Sequence, residues 1–267
     1  MAMNRPVAAW RLGTMVIAAV AMLGIGGCGG GAGDGAGQAA DPAMTDRTDA
    51  PEPTEAAEAP DAAEPTDAAD PQPIRIVCFG DSLTSCGGEG GRYSDWLERW
   101  LGDQARVFNR GVGGDTLAGG RQRFEQDVLA LEPDVVIIGL GANDYWQARR
   151  PLGDLEADLS YMVGRCRSAG AEVVIASCFG HAPEPTEPIE GIAGRRARYA
   201  WAIGVYERQL AARFDAGYVP DMQADIRADR AGYWSDANHP NRAGNRRVAE
   251  RLLPEVTAAM ERLRRQR

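Results

Sequence analysis

The sequence contains no lysine, so all 29 of its basic side chains are arginines. Mechanisms that need a lysine amine, such as Schiff-base formation or attack by a lysine nucleophile, are therefore excluded. Histidine is nearly as scarce, because the chain has only His181 and His239. An acidic residue, Asp236, precedes His239 by three positions, whereas no acid stands at that spacing before His181. A mechanism that uses an imidazole is therefore expected to use His239.

Motifs that bind metals and nucleotides are also missing. No Cys-x-x-Cys pair, no Gly-x-Gly-x-x-Gly after a predicted strand and no phosphate-binding loop is present, and two separated histidines do not favour a zinc site. We therefore expect a protein that works without a cofactor or a metal ion. Four cysteines lie beyond residue 28. They could form disulfides, for which three pairings are possible, or they could be small buried hydrophobic side chains. They are Cys78, Cys86, Cys166 and Cys178.

The net charge of −9 is unevenly distributed. Residues 34–73 carry eleven acidic side chains and one basic side chain, whereas residues 74–267 carry 27 acidic and 26 basic side chains. The second segment is thus nearly neutral and lacks the basic surface that nucleic acids require. Nucleic-acid partners are therefore excluded.

Residues 1–27 are predicted to be a lipoprotein signal peptide. Arg5 and Arg11 supply positive charge, and the following apolar stretch of about 14 residues is shorter than the roughly 20 that a membrane-spanning helix needs. Small residues then precede Cys28, which resembles the bacterial lipobox, in which the cysteine is lipidated. The resemblance implies export and a lipid anchor at Cys28 on the periplasmic or cell-surface side of the envelope. An ordinary secretory signal is the alternative.

Residues 28–73 are predicted to be the lipid anchor followed by a disordered, acidic linker rich in Pro and Ala. The segment begins with glycines and continues with seven prolines between Pro42 and Pro73, and it has almost no large apolar side chains. Such a composition offers too little burial to offset the entropy of ordering the chain. We expect a spacer that separates the membrane from a domain at residues 74–267.

From Ile74 onward, short apolar runs alternate with amphipathic helical patterns. Strands are predicted at 74–79, 106–109, 134–140, 172–178 and 217–220, and helices at 93–101, 116–131, 152–169, 194–214 and about 241–264. This alternation is typical of a parallel sheet that is covered on both faces. The predicted fold is a three-layer α/β/α sandwich of the flavodoxin-like type with a five-stranded parallel sheet.

Polar motifs follow four of the predicted strands, at the edge where ligands bind in such sheets. They are Gly80-Asp81-Ser82-Leu83, Gly114-Asp115-Thr116, Gly141-Ala142-Asn143-Asp144 and Asp236-Ala237-Asn238-His239. Each motif alone is compatible with a turn or a helix cap. Together, and in this order, they predict one site.

The residue types in these motifs fit acyl transfer. A serine hydroxyl needs a nearby base, which His239 can supply, and Asp236 can hold the other ring nitrogen. The tetrahedral intermediate needs hydrogen-bond donors for its oxyanion. Ser82 and Gly114 offer backbone N–H groups for this purpose, and Asn143 offers its side-chain amide.

These motifs resemble the sequence blocks of the SGNH (GDSL) hydrolases, from Ile74 to the C-terminus. The block around Gly114 is similar to that of the lysophospholipase/thioesterase-I-like branch, and Gly114 is chosen among neighbouring glycines because Asp-Thr follows it. The resemblance implies that Ser82 is the nucleophile, His239 the base, Asp236 its partner, and Gly114 and Asn143 oxyanion donors. The Gly-x-Ser-x-Gly elbow of α/β-hydrolases is absent, because a threonine replaces its second glycine.

The predicted activity is hydrolysis of a carboxylic ester, with lipid, thioester and acetylated-carbohydrate acyl groups all left open. Tyr145, Trp146 and Trp234 adjoin the motifs and are predicted to line the substrate pocket, although packing beneath the loops is an equal alternative. Two other functions keep the same fold, namely a cell-envelope carbohydrate O-acyltransferase and a non-catalytic surface binding module. The expected partners are a small-molecule or glycan ester and, through lipidated Cys28, the membrane.

Overall fold

A computed structural model of the chain describes residues 72–186 and 190–266. The predicted signal peptide, the lipidation site at Cys28 and almost all of the predicted linker lie outside these residues. The described residues include the whole of the predicted domain apart from one short gap and the last residue.

Five parallel strands form a single sheet, as predicted. The strands are β1 (Ile74–Gly80), β2 (Ala105–Gly111), β3 (Val135–Gly139), β4 (Glu172–Ala176) and β5 (Gly217–Val219). Their order across the sheet is β2-β1-β3-β4-β5, and every neighbouring pair is parallel. In this order the chain leaves β1 toward one side and returns to β3 on the other. The loops after β1 and β3 therefore diverge at the carboxyl edge and leave a crevice there.

The described residues also form eight α-helices, which cover both faces of the sheet. They are α1 (Ser82–Ser85), α2 (Tyr93–Leu101), α3 (Leu117–Asp127), α4 (Ala142–Gln147), α5 (Leu152–Ser168), α6 (Gly191–Arg213), α7 (Arg230–Tyr233) and α8 (Arg242–Gln266). Helices α2 and α8 pack on one face, and α3, α5 and α6 pack on the other. Alternate residues of β1, such as Ile76 and Val77, point into these two cores. The three-layer α/β/α sandwich is thus confirmed.

The helix bounds differ from the sequence-based prediction in two ways. Helix α3 ends at Asp127 and a 3-10 turn continues from Leu129 to Leu131, so the long predicted helix is really two elements. The short helices α1, α4 and α7 were not predicted, because four to six residues are too few to show helical periodicity. All three of these helices lie in or beside the loops at the carboxyl edge of the sheet.

Glycines lie side by side where the central strands end. Gly80 of β1 pairs with Gly111 of β2 and with Gly139 of β3. A Cβ atom on Gly80 would lie 2.6 Å from the carbonyl oxygen of Gly139 and would also collide with the Thr84 hydroxyl. The chain can therefore turn into α1 directly above the sheet only because this position has no side chain.

All four cysteines of the domain are free thiols, so none of the three disulfide pairings is present. Cys78 and Cys166 are fully buried in the two cores, and burial raises the pKa of the Cys166 thiol to about 12. They therefore act as small hydrophobic residues. Among residues 72–186 and 190–266, no helix has the length and apolar character needed to span a membrane.

Among the buried carboxyl groups outside the polar motifs, that of Glu207 has a strongly raised pKa. Glu207 of α6 is only 2% exposed, and the Ser177 hydroxyl donates a hydrogen bond to it. Burial raises the pKa of Glu207 from its ordinary value near 4.5 to about 8, although the hydrogen bond from Ser177 acts in the opposite direction. The folded protein therefore keeps this group protonated at neutral pH.

Glu207→Gln should make the free energy of unfolding less dependent on pH. Between the two pKa values the unfolded chain loses the Glu207 proton and the folded protein retains it, so stability falls with rising pH by up to about 1.4 kcal/mol per unit. Urea unfolding at about pH 5 and pH 8 should show the variant gaining on the wild type as pH rises. Glu156→Gln, an exposed position on α5, is the matched control. Parallel pH profiles of Glu207→Gln and the wild type would contradict this account.

Candidate active site

Ser82 is the first residue of α1 and lies directly beyond the end of β1. Asp81 caps this helix, because its carboxylate accepts a hydrogen bond of 2.8 Å from the N–H of Leu83. The Asp81 side chain is almost fully buried, and burial raises its pKa to about 7 against the opposing effect of the Leu83 N–H. The cap fixes the backbone of the serine turn and leaves Ser82 partly exposed.

The structure brings Ser82, His239 and Asp236 into one chain of hydrogen bonds. The Ser82 Oγ lies 2.9 Å from His239 Nε2, although the two residues are 157 positions apart. The other ring nitrogen, Nδ1, lies 2.8 Å from Asp236 Oδ2 and 3.1 Å from Oδ1. This is the geometry in which an imidazole can take a proton from a hydroxyl while a carboxylate orients its ring.

The carboxylate of Asp236 is held in its charged form. Partial burial acts to raise its pKa, but hydrogen bonds from the N–H of Asn238, from the His239 ring and from the His239 N–H outweigh this effect and lower the pKa. The Asp236 side chain is 56% exposed and that of His239 is 31% exposed. The charge is therefore stabilised by local hydrogen bonds at an open surface.

A buried asparagine that the sequence analysis missed secures the histidine loop. Asn245 of α8 is fully buried, and its side-chain amide donates to the carbonyl of Pro240 at 3.1 Å, directly after His239. The same amide lies 3.6 Å from the sulfur of Cys86, just beyond α1. Asn245 therefore links the loop that carries the histidine to the helix that carries the serine. Nothing in the local sequence distinguishes it from a surface asparagine.

In the folded protein, the Asn143 side chain lies between Asp81 of the first motif and Asp115 of the second. It follows Gly141, which adopts a φ of 115° at the turn into α4. The Asn143 amide donates to the carbonyl of Asp115 at 2.8 Å and lies 3.4 Å from Asp81 Oδ2. Gly114, next to Asp115, has a φ of 80°, and its α-carbon faces open space. The predicted oxyanion residues therefore come from three loops that meet at one edge of the sheet.

The family of the chain follows from comparison with known proteins. Residues 78–247 match the model of the GDSL-like lipase/acylhydrolase family. The chain belongs to this family. The match confirms the resemblance to the SGNH hydrolases. Together with the relatives named as esterases, it shows that the chain is a hydrolytic esterase.

Similar proteins include the esterase TesA of Pseudomonas aeruginosa, 27% identical over an alignment of 185 residues that covers 67% of this chain and 86% of TesA. The acetylxylan esterase of Geobacillus stearothermophilus is 27% identical over an alignment of 209 residues that covers 68% of this chain and 93% of that enzyme. An uncharacterized lipoprotein of Bacillus subtilis, YqeF, is 27% identical over an alignment of 118 residues that covers 39% of this chain and 48% of YqeF.

Solved structures share the fold of this GDSL-like hydrolase. A crystal structure of TesA superposes with a TM-score of 0.58 at 24% identity, over 69% of this chain and 99% of TesA. The acetylxylan esterase Axe2 from Geobacillus stearothermophilus superposes with a TM-score of 0.56 at 24% identity, over 68% and 94% of the two chains.

The acidic residue of the third motif of this hydrolase, Asp144, joins two loops. Asp144 is buried, and its Oδ2 accepts a hydrogen bond of 2.8 Å from the N–H of Leu117, the first residue of α3. Burial raises the pKa of Asp144 to about 6, while the Leu117 N–H and the Arg150 guanidinium 3.9 Å away act to lower it. The sequence placed Asp144 in a motif, but its role as a tether depends on a partner 27 residues away.

The three aromatic residues predicted to line the pocket have different surroundings. Tyr145 packs on Phe179 with ring centroids 5.1 Å apart, and the Trp234 indole N–H donates to a backbone carbonyl at 2.8 Å. Trp146 is 40% exposed, and the Arg196 guanidinium stacks 4.8 Å from its ring. Arg196 also donates two hydrogen bonds to the Trp146 carbonyl. Trp146 is thus the exposed aromatic ring of the three, and Arg196 fixes its position.

Asn143→Ala should lower kcat for p-nitrophenyl acetate by about 10²–10³, because a lost oxyanion donor weakens binding of the transition state. KM should stay within about threefold, since the ground-state carbonyl needs this donor less. Gln147→Ala removes an exposed amide from the same helix and is the matched control. An Asn143→Ala enzyme with an unaltered kcat would remove this residue from the reaction.

Proposed function

We propose that this enzyme hydrolyses carboxylic esters through an acyl-enzyme formed on Ser82, and that its substrates are short acyl esters, above all acetyl esters of a carbohydrate. The single observation that carries the reaction is the continuous hydrogen-bond chain from Ser82 Oγ through the His239 ring to Asp236. The proposals for the size of the acyl group and for the nature of the alcohol rest on the residues that surround these hydrogen bonds.

In the first step, His239 Nε2 takes the proton from Ser82 Oγ as the oxygen attacks the ester carbonyl carbon. The carbonyl π-bond opens, and the resulting oxyanion accepts hydrogen bonds from the N–H groups of Ser82 and Gly114 and from the Asn143 amide. The C–O bond to the leaving alcohol then breaks, and the His239 imidazolium returns its proton to that oxygen. Asp236 stabilises the imidazolium in between.

In the second step, water attacks the acyl group on Ser82, and His239 takes a proton from the water. Collapse of the second tetrahedral intermediate releases the carboxylic acid and restores the serine hydroxyl. The exposure of Asp236 and His239 supports this route over transfer to a second sugar, since water reaches the acyl-enzyme freely.

The space beside the serine favours a short acyl group. A cavity lined by Asp81, Leu83, Leu140 and Phe179, among others, has a volume of about 10 Å³, which holds no more than about one water molecule. A larger cavity of about 530 Å³ lies at the opposite end of the sheet, near Arg75 and Arg106. The small cavity beside the neighbours of Ser82 therefore cannot enclose a long acyl chain, whereas an acetyl group needs no deep pocket.

An exposed aromatic ring near the oxyanion loop favours a carbohydrate as the alcohol. Trp146 stands three residues after Asn143, and Arg196 holds it in place. Flat apolar rings of this kind bind amphipathic partners through dispersion and apolar contact. The acetylxylan esterase relative, which matches over 93% of its length, supports the same class of substrate.

We also propose that the enzyme is lipid-anchored at Cys28 and exported to the cell envelope. The proposal rests on the first 28 residues, in which positive charges are followed by an apolar stretch and then by small residues before Cys28. The relative YqeF, described as a lipoprotein, gives it modest support. An acidic linker would then hold the esterase away from the membrane, within reach of envelope glycans.

Ser82→Ala in the full-length protein should lower kcat for p-nitrophenyl acetate by about 10⁴–10⁶, because the nucleophile is lost. The wild type should prefer the acetate over the octanoate ester by at least about tenfold in kcat/KM, which corresponds to roughly 1.4 kcal/mol. Ser85→Ala, at the other end of α1, is the matched control. Equal rates for Ser82→Ala and the wild type would refute the mechanism, and a preference for octanoate would instead indicate a lipid ester.

Trp146→Ala should lower kcat/KM for an acetylated xylo-oligosaccharide by about 2- to 10-fold, the worth of one aromatic contact. The rate with p-nitrophenyl acetate should change by less than about twofold, since this small ester does not reach the ring. Trp100→Ala on α2, away from the loops of the site, serves as the comparison. If Trp146→Ala affects both substrates equally, or neither, the ring does not bind the sugar.

A further inference from the structure

Arg123 of α3 connects the ends of two strands beside the proposed site. Its Nε donates to Asp115 Oδ2 at 2.7 Å, its Nη2 to the carbonyl of Gly80 at 2.9 Å, and its Nη1 to the carbonyl of Arg110 at 3.0 Å. The Nη1 atom also lies 2.9 Å from Asp127 Oδ2. One guanidinium thus joins β1, β2, the loop after β2 and its own helix.

The side chain has little freedom to move. It is 18% exposed, and its guanidinium carbon lies 4.1 Å from the centroid of the fully buried Phe79 ring. A planar group with five N–H donors can satisfy several acceptors at once, which a single ammonium on a flexible chain cannot do with the same geometry. The Gly80 carbonyl also accepts a hydrogen bond of 3.0 Å from the N–H of Val112, the residue after β2. The guanidinium therefore reinforces this junction between the two strand ends and extends it to Asp115 and to α3.

The partners of Arg123 adjoin all three proposed oxyanion donors. Gly80 precedes Ser82 by two residues, and Asp115 directly follows Gly114. The backbone carbonyl of Asp115 accepts a hydrogen bond of 2.8 Å from the Asn143 amide, and the Asp115 carboxylate accepts a hydrogen bond from Arg123. The donors come from three separate loops, and the Asp115–Arg123 pair lies where those loops meet.

We propose that Arg123 is a positioning residue, whose guanidinium clamps the end of β1 to the loop after β2 and so sets the spacing between Ser82 and the donors Gly114 and Asn143. The inference rests on the proposed function. Arg123 contacts neither the serine hydroxyl nor the imidazole and is not itself a catalytic residue. Its effect is geometric, because oxyanion donors act only within hydrogen-bond reach of the developing charge, and a misplacement of about 1 Å can cost about 100-fold in rate.

The test compares Arg123→Lys and Arg123→Ala with the wild type in the full-length protein. Both should lower kcat for p-nitrophenyl acetate by about 10- to 100-fold and leave KM within about threefold, with Arg123→Lys only a partial rescue. Arg121→Ala is the matched control, since Arg121 lies on the same helix, is 45% exposed and pairs with Asp158 instead. The concentration of active sites should be measured by titration with a fluorophosphonate, so that kcat is calculated from folded enzyme alone.

Two further readouts separate positioning from general stability. The inhibition constant of a boronic acid, which forms a tetrahedral adduct on the serine, should rise in proportion to the loss of kcat/KM across the variants. Asp115→Asn combined with Arg123→Ala should lower kcat by less than the product of the single effects, because both changes open the same clamp. A variant that is only less stable would show a lower melting temperature with an unchanged kcat per active site.

The outcomes are distinct. Arg123 variants that retain the wild-type kcat and boronic-acid affinity would overturn the inference while wild-type esterase activity stands. A loss equal to that of Arg121→Ala would overturn it in the same way. If the wild type and Ser82→Ala have equal rates, the proposed function itself fails, and that result appears before any Arg123 variant is compared.

Discussion

The proposed chemistry of this protein depends on one hydrogen bond, between the Ser82 hydroxyl and the His239 ring. Its two partners are far apart in the sequence. They meet because Ser82 follows β1 and His239 follows β5, and these parallel strands end at the same edge of the sheet. The bond is supported from two sides. Asp81 caps the helix that begins with Ser82, and Asn245 ties the histidine loop to the far end of that helix.

Three carboxyl groups near this edge, those of Asp81, Asp144 and Asp236, fall into two classes with opposite electrostatics. Asp236 is exposed and receives three hydrogen bonds, so its pKa is lowered and it carries its charge where an imidazolium must be stabilised. Asp81 and Asp144 are buried, so their pKa values are raised, and each holds a backbone N–H at the start of a helix. The buried pair therefore shapes the loops, and the exposed residue supplies charge. Position in the fold, and not residue type, separates the two roles.

The open surface around the serine fits a substrate whose bulk remains outside the protein. The cavity next to Asp81 is too small for an extended chain, and the exposed ring of Trp146 offers a place for a flat, amphipathic alcohol. Under the proposed anchoring at Cys28, the acidic linker would bring the enzyme close to esters on envelope polymers. These features agree with one another, although each arises from a different part of the chain.

The sequence alone determined the sheet, because buried strands and amphipathic helices leave periodic patterns that need no knowledge of distant contacts. It also placed Ser82, Asn143, Asp236 and His239 at one edge, since motifs that follow parallel strands end up together. Only the tertiary structure decided how these loops are held. Arg123, Asp144 and Asn245 act through partners 27 to 159 residues away along the chain, or through backbone carbonyls of other loops, and such pairings leave no local signal. The same holds for Trp146 and Trp234, whose identical side chains differ in exposure because of what packs around them.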